Sequence, residues 1–439
     1  MKLVLAVFAG FLAFVSGAAA QQTPKDQLPS APLPPSASSQ SSAPSHITLE
    51  DALRLAEQHN HALLALRSTI LQNEAMETTA NLRPNPTLAW DAQFIPVFQP
   101  GNFNSDYLDN SAQFDIGVSY LFERGKKRQH RLQAAKDATT VVRSQVTDSG
   151  RQLDFNVAQQ FINVLLAEST LAFAQQDLDS FQKTVDISEL RYKAGDMSEG
   201  DLLKIKLQML QFQSDVSAAR LARIQGLAGL RQFLGFESVP DDYEVTGELD
   251  YQPVPATVVD LKTLASRSRP DLMAAQESVT AAKSQVALAQ ANGKQDLTAG
   301  MSYSHTGGVN SATVSFSIPL AVFDRNQGEI ARTRYTVTQA QEQLSETTQQ
   351  VSTDVVDAFE NVKTNDEIIK LYQGGYVDQA KQSRDITEYA YRRGAASLLD
   401  YLDSERTYRA NQLAYRQALA SYMVALEQLR QAVGTRNLP

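Results

Sequence analysis

Two hydrophobic periods alternate along this chain. Apolar residues recur every three to four positions in long segments and every second position in four shorter ones. The first period is typical of a helix with one buried face, and the second of a strand with one apolar face. The same order occurs twice: a short helical segment, two strands, a very long helical segment, a turn and a return segment. The pattern predicts a duplicated, mainly α chain with a small β part.

The four predicted strands each have one apolar and one polar face. They lie within residues 87–95, 114–122, 297–303 and 314–318. They form two strand hairpins, 87–122 and 296–320, with loops predicted at 98–112 and 306–311. Alternation alone favours a soluble sheet with one buried face, but each segment also suits the ~9–11 residues of a tilted membrane strand. The polar faces carry Asp91, Gln93, Asp115, Ser119, Thr298, Ser302, Ser315 and Ser317.

The long helical segments exceed what a globular core can cover. Proline is absent from residues 123–239 and 320–438. A continuous helix over 125–195 would measure roughly 100 Å at 1.5 Å per residue. Gly150 and the Gly374-Gly375 pair are predicted kink positions. Helices of this length must pack side by side, as a coiled coil or a helical barrel.

Each long segment ends in the same turn. Tyr192, Gly195, Ser198 and Asp201 match Tyr391, Gly394, Ser397 and Asp400 at a constant offset of 199. A glycine that ends one helix and a serine that caps the next predict the tip of a helical hairpin. Asp201 and Asp400 suit the first turn of a capped helix, whereas a cap does not require Asp403. In the first repeat Lys204 stands where a second acid would be.

The pattern also divides the chain into segments. Residues 1–20 combine a basic start, an apolar run and an Ala-Ala-Ala cleavage site, which predicts a secretory signal peptide. Residues 21–46 are rich in Pro, Ser and Gln, which predicts a disordered linker. Two structural repeats are expected at 47–245 and 246–439. We expect an exported protein without a transmembrane helix.

Composition excludes several classes of function. The net charge of −9 and the pI of about 5.2 disfavour nucleic acid as a partner. The absence of cysteine excludes disulfides, thiol catalysis and a cysteine-linked lipid anchor. No metalloprotease, serine-hydrolase or P-loop motif is present, so neither an enzyme nor a cofactor is expected. His59 and His61 at a helix break are a poor metal site, and we expect no bound metal.

The strands require more than one copy of the chain if they lie in a membrane. Four strands cannot close a barrel, because eight is the practical minimum. Closure must then come from identical copies around one axis, and two copies supply eight strands while three supply twelve. The alternative is a secreted oligomeric coiled-coil protein, structural or adhesive, with no pore.

Several motifs in this order resemble one family. They are Leu49-Glu50-Asp51-Ala52-Leu53, Arg83-Pro84-Asn85-Pro86, the run from Ile318 to Gly328, and the two tips. The chain resembles the TolC-like outer membrane efflux proteins. The resemblance implies a homotrimer, with a twelve-stranded outer membrane β-barrel continuous with a periplasmic α-helical barrel. The run Phe323-Asp324-Arg325-Asn326 is similar to the cation-efflux, CzcC-like branch.

The resemblance also implies roles at the tips. Asp400, Asp403 and Asp201 would form the periplasmic gate and set ion selectivity, and Arg392 and Arg393 would form ion pairs between neighbouring tips. Gly195, Gly394, Ser198 and Ser397 would contact a periplasmic adaptor (membrane fusion) protein. The implied function is a passive duct for small molecules or metal ions. The implied partners are the adaptor, an inner-membrane pump such as an RND transporter, and outer membrane lipid.

Overall fold

The computed structural model describes residues 46–102 and 104–438 and is mainly helical. The predicted signal peptide and residues 21–45 of the predicted linker lie outside the described residues. In the first half the helices are α1 (Leu49–His59), α2 (His61–Asn81), α3 (Ser105–Asn110), α4 (Lys127–Ala194) and α5 (Glu199–Leu234). In the second half they are α6 (Val258–Ser268), α7 (Pro270–Asn292), α8 (Gln327–Leu371), α9 (Val377–Arg392) and α10 (Leu398–Val433). The strands are β1 (His46–Ile47), β2 (Thr87–Gln93), β3 (Gln113–Phe122), β4 (Glu244–Val245), β5 (Leu297–Thr306) and β6 (Val309–Ser317).

The four predicted strands form one antiparallel sheet in the order β2-β3-β5-β6. Its register places apolar residues opposite one another, with Trp90 beside Ile116 and Ile116 beside Tyr303. The other face is polar because successive side chains of a strand point to opposite sides. The two hairpins therefore combine into one sheet with one apolar and one polar face.

The loops of the sheet differ from their predictions. The predicted loop at 306–311 is wrong: it is a two-residue turn at Gly307 and Gly308, whose φ angles are 58° and 72°. Positive φ at both central residues suits the twist of a hairpin, and glycine adopts it without strain. The predicted loop at 98–112 contains α3 and a short 3₁₀ turn, Pro100–Asn102.

The two long helical segments differ in continuity. Helix α4 runs through Gly150 for 68 residues without interruption, so the predicted kink there is wrong. In the second half, the π-helical turn Tyr372–Tyr376 separates α8 from α9, and Gly375 has φ 102°. The predicted kink at the Gly374-Gly375 pair is confirmed.

One stretch of α4 has the length and composition of a membrane span. In the same helix, Val157, Phe161 and Leu165 are buried against other parts of the chain. The core cluster that they join also contains Leu230 and Leu234 of α5. Helix α4 therefore contributes side chains to the core of the chain, and 44% of the membrane-like stretch is buried.

The parallel pair of β1 with β4 was not predicted. Each strand has only two residues, too few to show a period, and their partners are about 200 positions apart in the chain. Ile47 of β1 is fully buried in the same core cluster as Val157. The pair thus joins the start of the described chain to the end of the first repeat.

Candidate functional site: the helical tips

Both predicted tips end a helix in the left-handed conformation. The φ angles of Gly195 and Gly394 are 86° and 75°. At the first tip, the Asp196 N–H donates to the Arg191 carbonyl at 2.8 Å. At the second, the Ala395 N–H donates to the Ala390 carbonyl at 2.8 Å. These bonds satisfy the last carbonyl groups of each helix, and the positive φ is what favours glycine at both positions.

Each return helix begins at the predicted serine cap. The Ser198 hydroxyl accepts a hydrogen bond from the Asp201 N–H at 3.1 Å, and Ser397 accepts one from Asp400 at 3.2 Å. At the second tip the Asp400 carboxylate also accepts from the Ser397 N–H at 3.2 Å, which completes a capping box. The first tip has the simpler cap.

Both capping acids interact with their own helix. The bond to the Ser198 side chain, followed by the one to Lys204, holds the pKa of Asp201 below its usual value. The bonds to Ser397 do the same for the pKa of Asp400. Both carboxylates are therefore charged at neutral pH and available as fixed negative charges at the tips.

Asp403 is more open than a capping acid. Its side chain is 61% exposed, and it forms an ion pair with Arg406 at 2.7 Å, one turn further along α10. Its exposure leaves the carboxylate accessible from solvent. It lies three residues after Asp400, so the two acids share one helical face.

Arg392 and Arg393 interact within α9 in this single chain. Arg392 forms an ion pair with Glu388, and the Arg393 guanidinium lies over the Tyr389 ring at 5.2 Å. Another arginine joins the two tips: Arg191 of the first donates to the Tyr391 carbonyl of the second at 3.1 Å. The two tips of the chain are therefore in contact.

A stack of aromatic rings lies behind the tips. Tyr391 and Tyr401 stack at 5.2 Å between ring centroids, Tyr401 and Phe181 at 6.4 Å, and Phe181 and Phe212 at 4.3 Å. The four rings come from α9, α10, α4 and α5, and all four are at least 95% buried. The stack fixes the two hairpins against each other.

A buried ionic cluster follows the ring stack, and the sequence did not predict it. We call it the ionic junction: Asp177 of α4, Asp215 of α5, Arg384 of α9, and Glu405 and Arg409 of α10. Arg409 contacts Asp177 at 2.6 Å and also pairs with Asp215, while Arg384 lies 3.9 Å from Glu405. All four helices near the tips therefore contribute a charge to one cluster.

Two carboxyl groups of the ionic junction, those of Asp177 and Glu405, are both buried. Burial, and then the neighbouring Asp177, raises the pKa of Glu405 to about 8. Burial also raises the pKa of Asp177, against the opposing effect of Arg409. The pair therefore holds a proton at neutral pH. A signal was present in the sequence, since Glu405 follows the buried Tyr401 by four residues and shares its face.

In the part of the chain that the structure describes, the acids at the tips form no metal centre. Within residues 46–102 and 104–438, no three His, Cys, Asp or Glu side chains lie close enough to hold a metal ion. The chemistry at the tips is that of fixed charges, capped helix ends and aromatic packing.

Comparison with known proteins gives one consistent family. The family model described as outer membrane efflux protein matches residues 52–236 and 261–435. The cobalt-zinc-cadmium resistance protein CzcC of Cupriavidus metallidurans is 23% identical over 89% of this chain and 88% of its own length. The outer membrane protein TolC of Escherichia coli is 25% identical over 82% of this chain and 76% of its own length.

Solved structures share the fold. A structure of CusC, described as a transmembrane channel, aligns with a TM-score of 0.71 at 19% identity, covering 94% of this chain and 99% of that one. The outer membrane protein VceC of Vibrio cholerae aligns with a TM-score of 0.70 at 19% identity, covering 88% and 96%. The chain belongs to the outer membrane efflux protein family.

Proposed function

We propose that three copies of this chain form a duct that crosses the outer membrane and extends through the periplasm. The duct passively exports substrate delivered by an inner-membrane pump, such as an RND transporter, through a periplasmic adaptor. No bond is made or broken in the substrate. The tether of residues 21–46 follows a cleaved signal peptide, and membrane attachment comes from the sheet rather than from a lipid anchor.

The observation that carries this proposal is the exposed apolar face of the sheet. Trp90 is 76% exposed and Phe316 is 70% exposed, although both lie on the apolar face. A soluble sheet would bury such a face, because large contiguous apolar surfaces in water favour association. A bilayer covers it at no such cost, and the polar face is then left for a water-filled lumen.

The sheet edges support closure by identical copies. Strands β2 and β6 are the two edges, and each leaves a row of backbone groups without a strand partner in the described chain. All neighbouring pairs are antiparallel, so β2 and β6 run in opposite directions. β6 of one copy can therefore pair with β2 of the next in the same antiparallel sense. Three copies give twelve strands, in keeping with the family.

The tips supply the proposed gate. Three protomers bring three copies of Asp400, Asp403 and Asp201 around one axis, and such acidic rings attract cations and repel anions. Opposing tips close through ion pairs made by Arg392 and Arg393 when neighbouring protomers approach. Asp91 and Asp115 on the polar face of the sheet continue the acidic path.

The tips also supply the proposed adaptor contact. The turns at Gly195 and Gly394 and the caps at Ser198 and Ser397 present rigid, solvent-exposed surfaces. Leu399, directly after the second cap, is 76% exposed. An exposed leucine beside a fixed turn suits a hydrophobic contact with another protein.

The acid-lined path favours cationic substrates. CzcC is named for resistance to cobalt, zinc and cadmium, and its similarity extends over 89% of this chain. We infer export of cations, including divalent metal ions, as the substrate class that this path suits best.

Conductance in planar bilayers tests the duct. Purified protein is expected to give stable ion-conducting steps, and its unheated form should migrate on gels as a trimer that heating converts to monomer. A trimer that inserts but never conducts, even as the Asp400→Ala, Asp403→Ala double variant, would favour the alternative of a coiled-coil stalk without a pore.

Replacing Asp403 with Asn tests the gate. The acid is exposed and no cap requires it, so Asp403→Asn should lower cation-over-anion selectivity while trimer assembly and stability stay unchanged. Reversal potentials in a salt gradient measure this effect. Asp378→Asn, an exposed acid further from the tip on α9, is the matched control. Unchanged selectivity in Asp403→Asn would remove Asp403 from the gate.

A further inference from the structure

Four chain connections meet at one end of the β2-β3-β5-β6 sheet. They are residues 82–86, 123–126, 293–296 and 318–326, which join the strands to α2, α4, α7 and α8. Arg131 of α4 ties two of them together, because it donates to the Leu82 carbonyl and pairs with Glu123. Asn326 ties another to α7 by donating to the Ala289 carbonyl at 2.7 Å. These four connections therefore form a fixed surface at the end of the sheet.

This surface at the end of the sheet carries an excess of cations. We call its exposed and half-buried cations the basic collar: Arg83, Arg124, Lys126, Arg128, Lys294 and Arg325. None of the six has a carboxylate partner within the described part of the chain. The whole protein has a net charge of −9, so this positively charged surface is opposite in sign to the molecule as a whole.

The acidic residues of the same surface already have partners within the chain. Glu123 pairs with Arg131 at 2.7 Å, and Asp296 pairs with Lys127 at 2.7 Å. The Asp324 carboxylate accepts from the Asn326 N–H at 2.8 Å. Lys127 and Arg131 neutralise two of these acids, so only the charge of Asp324 is left to offset the six collar cations.

The start of α4 adds to the positive potential. Its first turn contains no acid, and Lys126 in the left-handed conformation provides no side-chain cap. Cations in the first turn of a helix oppose its macrodipole and cost stability unless an anion lies nearby. Asp296 offsets Lys127, the first residue of α4, which leaves Lys126 and Arg128 in positions that the helix alone disfavours. An external anion would remove this conflict.

Exposed apolar side chains flank the same cations. Leu82, Leu320 and Phe323 are 61%, 85% and 91% exposed. Cations combined with exposed apolar side chains are typical of surfaces at a membrane–water interface. A free phosphate ion in water would account for the cations alone. A phospholipid accounts for both, since its phosphate meets the cations and its acyl chains meet the apolar groups.

We propose that the basic collar binds the phosphate headgroups of anionic phospholipids in the periplasmic leaflet of the outer membrane. This inference rests on the proposed function, because it requires the sheet to lie in that membrane. The collar then fixes the depth of the sheet, with the helices held outside the bilayer. The opposite end of the sheet carries Asp106 and Asp109 near its loops, so the charge differs between the two ends.

Native mass spectrometry of the full protein with equal amounts of phosphatidylglycerol and phosphatidylcholine tests the proposal. Wild type should retain phosphatidylglycerol preferentially. The variant Lys126→Gln, Arg128→Gln, Lys294→Gln should bind it roughly a hundredfold more weakly, at about fivefold for each cation near an anionic surface. The matched control Lys183→Gln, Lys193→Gln, Lys381→Gln removes three exposed cations from the long helices and should keep the wild-type preference.

The remaining outcomes separate this inference from the duct itself. Conductance in pure phosphatidylcholine bilayers and heat-modifiable gel migration check that the collar variant still folds and assembles. A conducting wild type that retains both lipids equally, or a collar variant that keeps the preference, would overturn lipid binding alone. Inorganic phosphate that fully displaces phosphatidylglycerol at equal concentration would also overturn it. A wild type that conducts in neither lipid would instead count against the proposed function.

Discussion

The two halves of this chain share one order of elements and differ in where they bend. Helix α4 passes Gly150 without a break, whereas the second half turns through Gly375 at φ 102° between α8 and α9. A lone helical glycine costs about 1 kcal/mol, which packing along a 68-residue helix absorbs. A glycine pair lets the backbone adopt a positive φ without steric strain. The two halves therefore share the order of elements, and only the second has a kink in its long segment.

The two tips also differ, in the burial of their tyrosines and in their helix caps. Tyr391 of the second tip is 5% exposed within the ring stack, whereas its counterpart Tyr192 is 40% exposed. Ser397 has a complete capping box, and Ser198 has a single capping bond. The second hairpin therefore has a kink between α8 and α9 and a tightly held tip, whereas the first has a continuous long helix and a looser tip.

The largest expected effect comes from breaking the ionic junction between the hairpins. Arg409→Ala leaves Asp177 and Asp215 without their shared partner, and removing one side of a buried ion pair costs about 3–5 kcal/mol. The first-half control is Lys206→Ala, whose exposed pair with Glu189 is worth at most about 1 kcal/mol. Denaturant unfolding followed by helical circular dichroism measures both. Equal losses in the two variants would contradict the role of the junction.

Stability should fall with rising pH because of the same junction. The pKa of Glu405 is about 8 in the folded chain, against 4.5 for an ordinary glutamate. The folded state binds the extra proton between these values, so the free energy of unfolding decreases from about pH 5 to pH 8. Glu405→Gln should flatten this dependence, as followed by thermal unfolding at several pH values. Glu189→Gln should leave the slope in this window intact, since its lowered pKa acts only at more acid pH.

Alanine at the two glycines should have opposite effects. Gly150→Ala should stabilise α4 by about 0.5–1 kcal/mol, because no atom lies within 4 Å of the added Cβ. Gly375→Ala should destabilise the second half by about 1–3 kcal/mol, because φ 102° is strained for alanine. Denaturant midpoints compare the two. Stabilisation by both substitutions would mean that the kink is not held in solution.

The smallest expected difference between the two halves is at the serine caps. Ser397→Ala should cost about 1–2 kcal/mol and Ser198→Ala about 0.5–1 kcal/mol, because only the second tip has a full capping box. Hydrogen exchange of the first-turn amides at each tip gives the local measurement. A larger increase in exchange over wild type in Ser198→Ala than in Ser397→Ala would reverse the assigned order.

Much of the fold was predictable because the hydrophobic periods of the sequence extend over many residues and are regular. The strands, the helix break between His59 and His61 and both glycine turns follow from local rules of period, capping and backbone conformation. Gly150 failed as a predicted kink because propensity is local and the packing of a long helix overrides it. The turn at Gly307-Gly308 was predicted too long for a related reason, since strand pairing extended both arms.

The candidate site also contains features that the sequence predicts and features that it does not. The positions of Asp400, Asp403 and Asp201 on capped helices were predictable from spacing. The ionic junction was not, because Asp177 and Glu405 are more than 200 residues apart and meet only when the hairpins pack. The same is true of the ring stack that joins Phe181 to Tyr391. Contacts between segments that are far apart in the chain produce no hydrophobic period that could be recognised locally in the sequence.

The sequence by itself determined the order of elements, the duplicated halves, the glycine turns and the capped return helices, since each depends on residues within a few positions of one another. Only the tertiary structure decided that the two strand hairpins share one sheet and that Tyr391 is buried while Tyr192 is exposed. It also decided that the carboxyl groups of Asp177 and Glu405 share a buried site. These features depend on desolvation and packing between segments far apart in the chain.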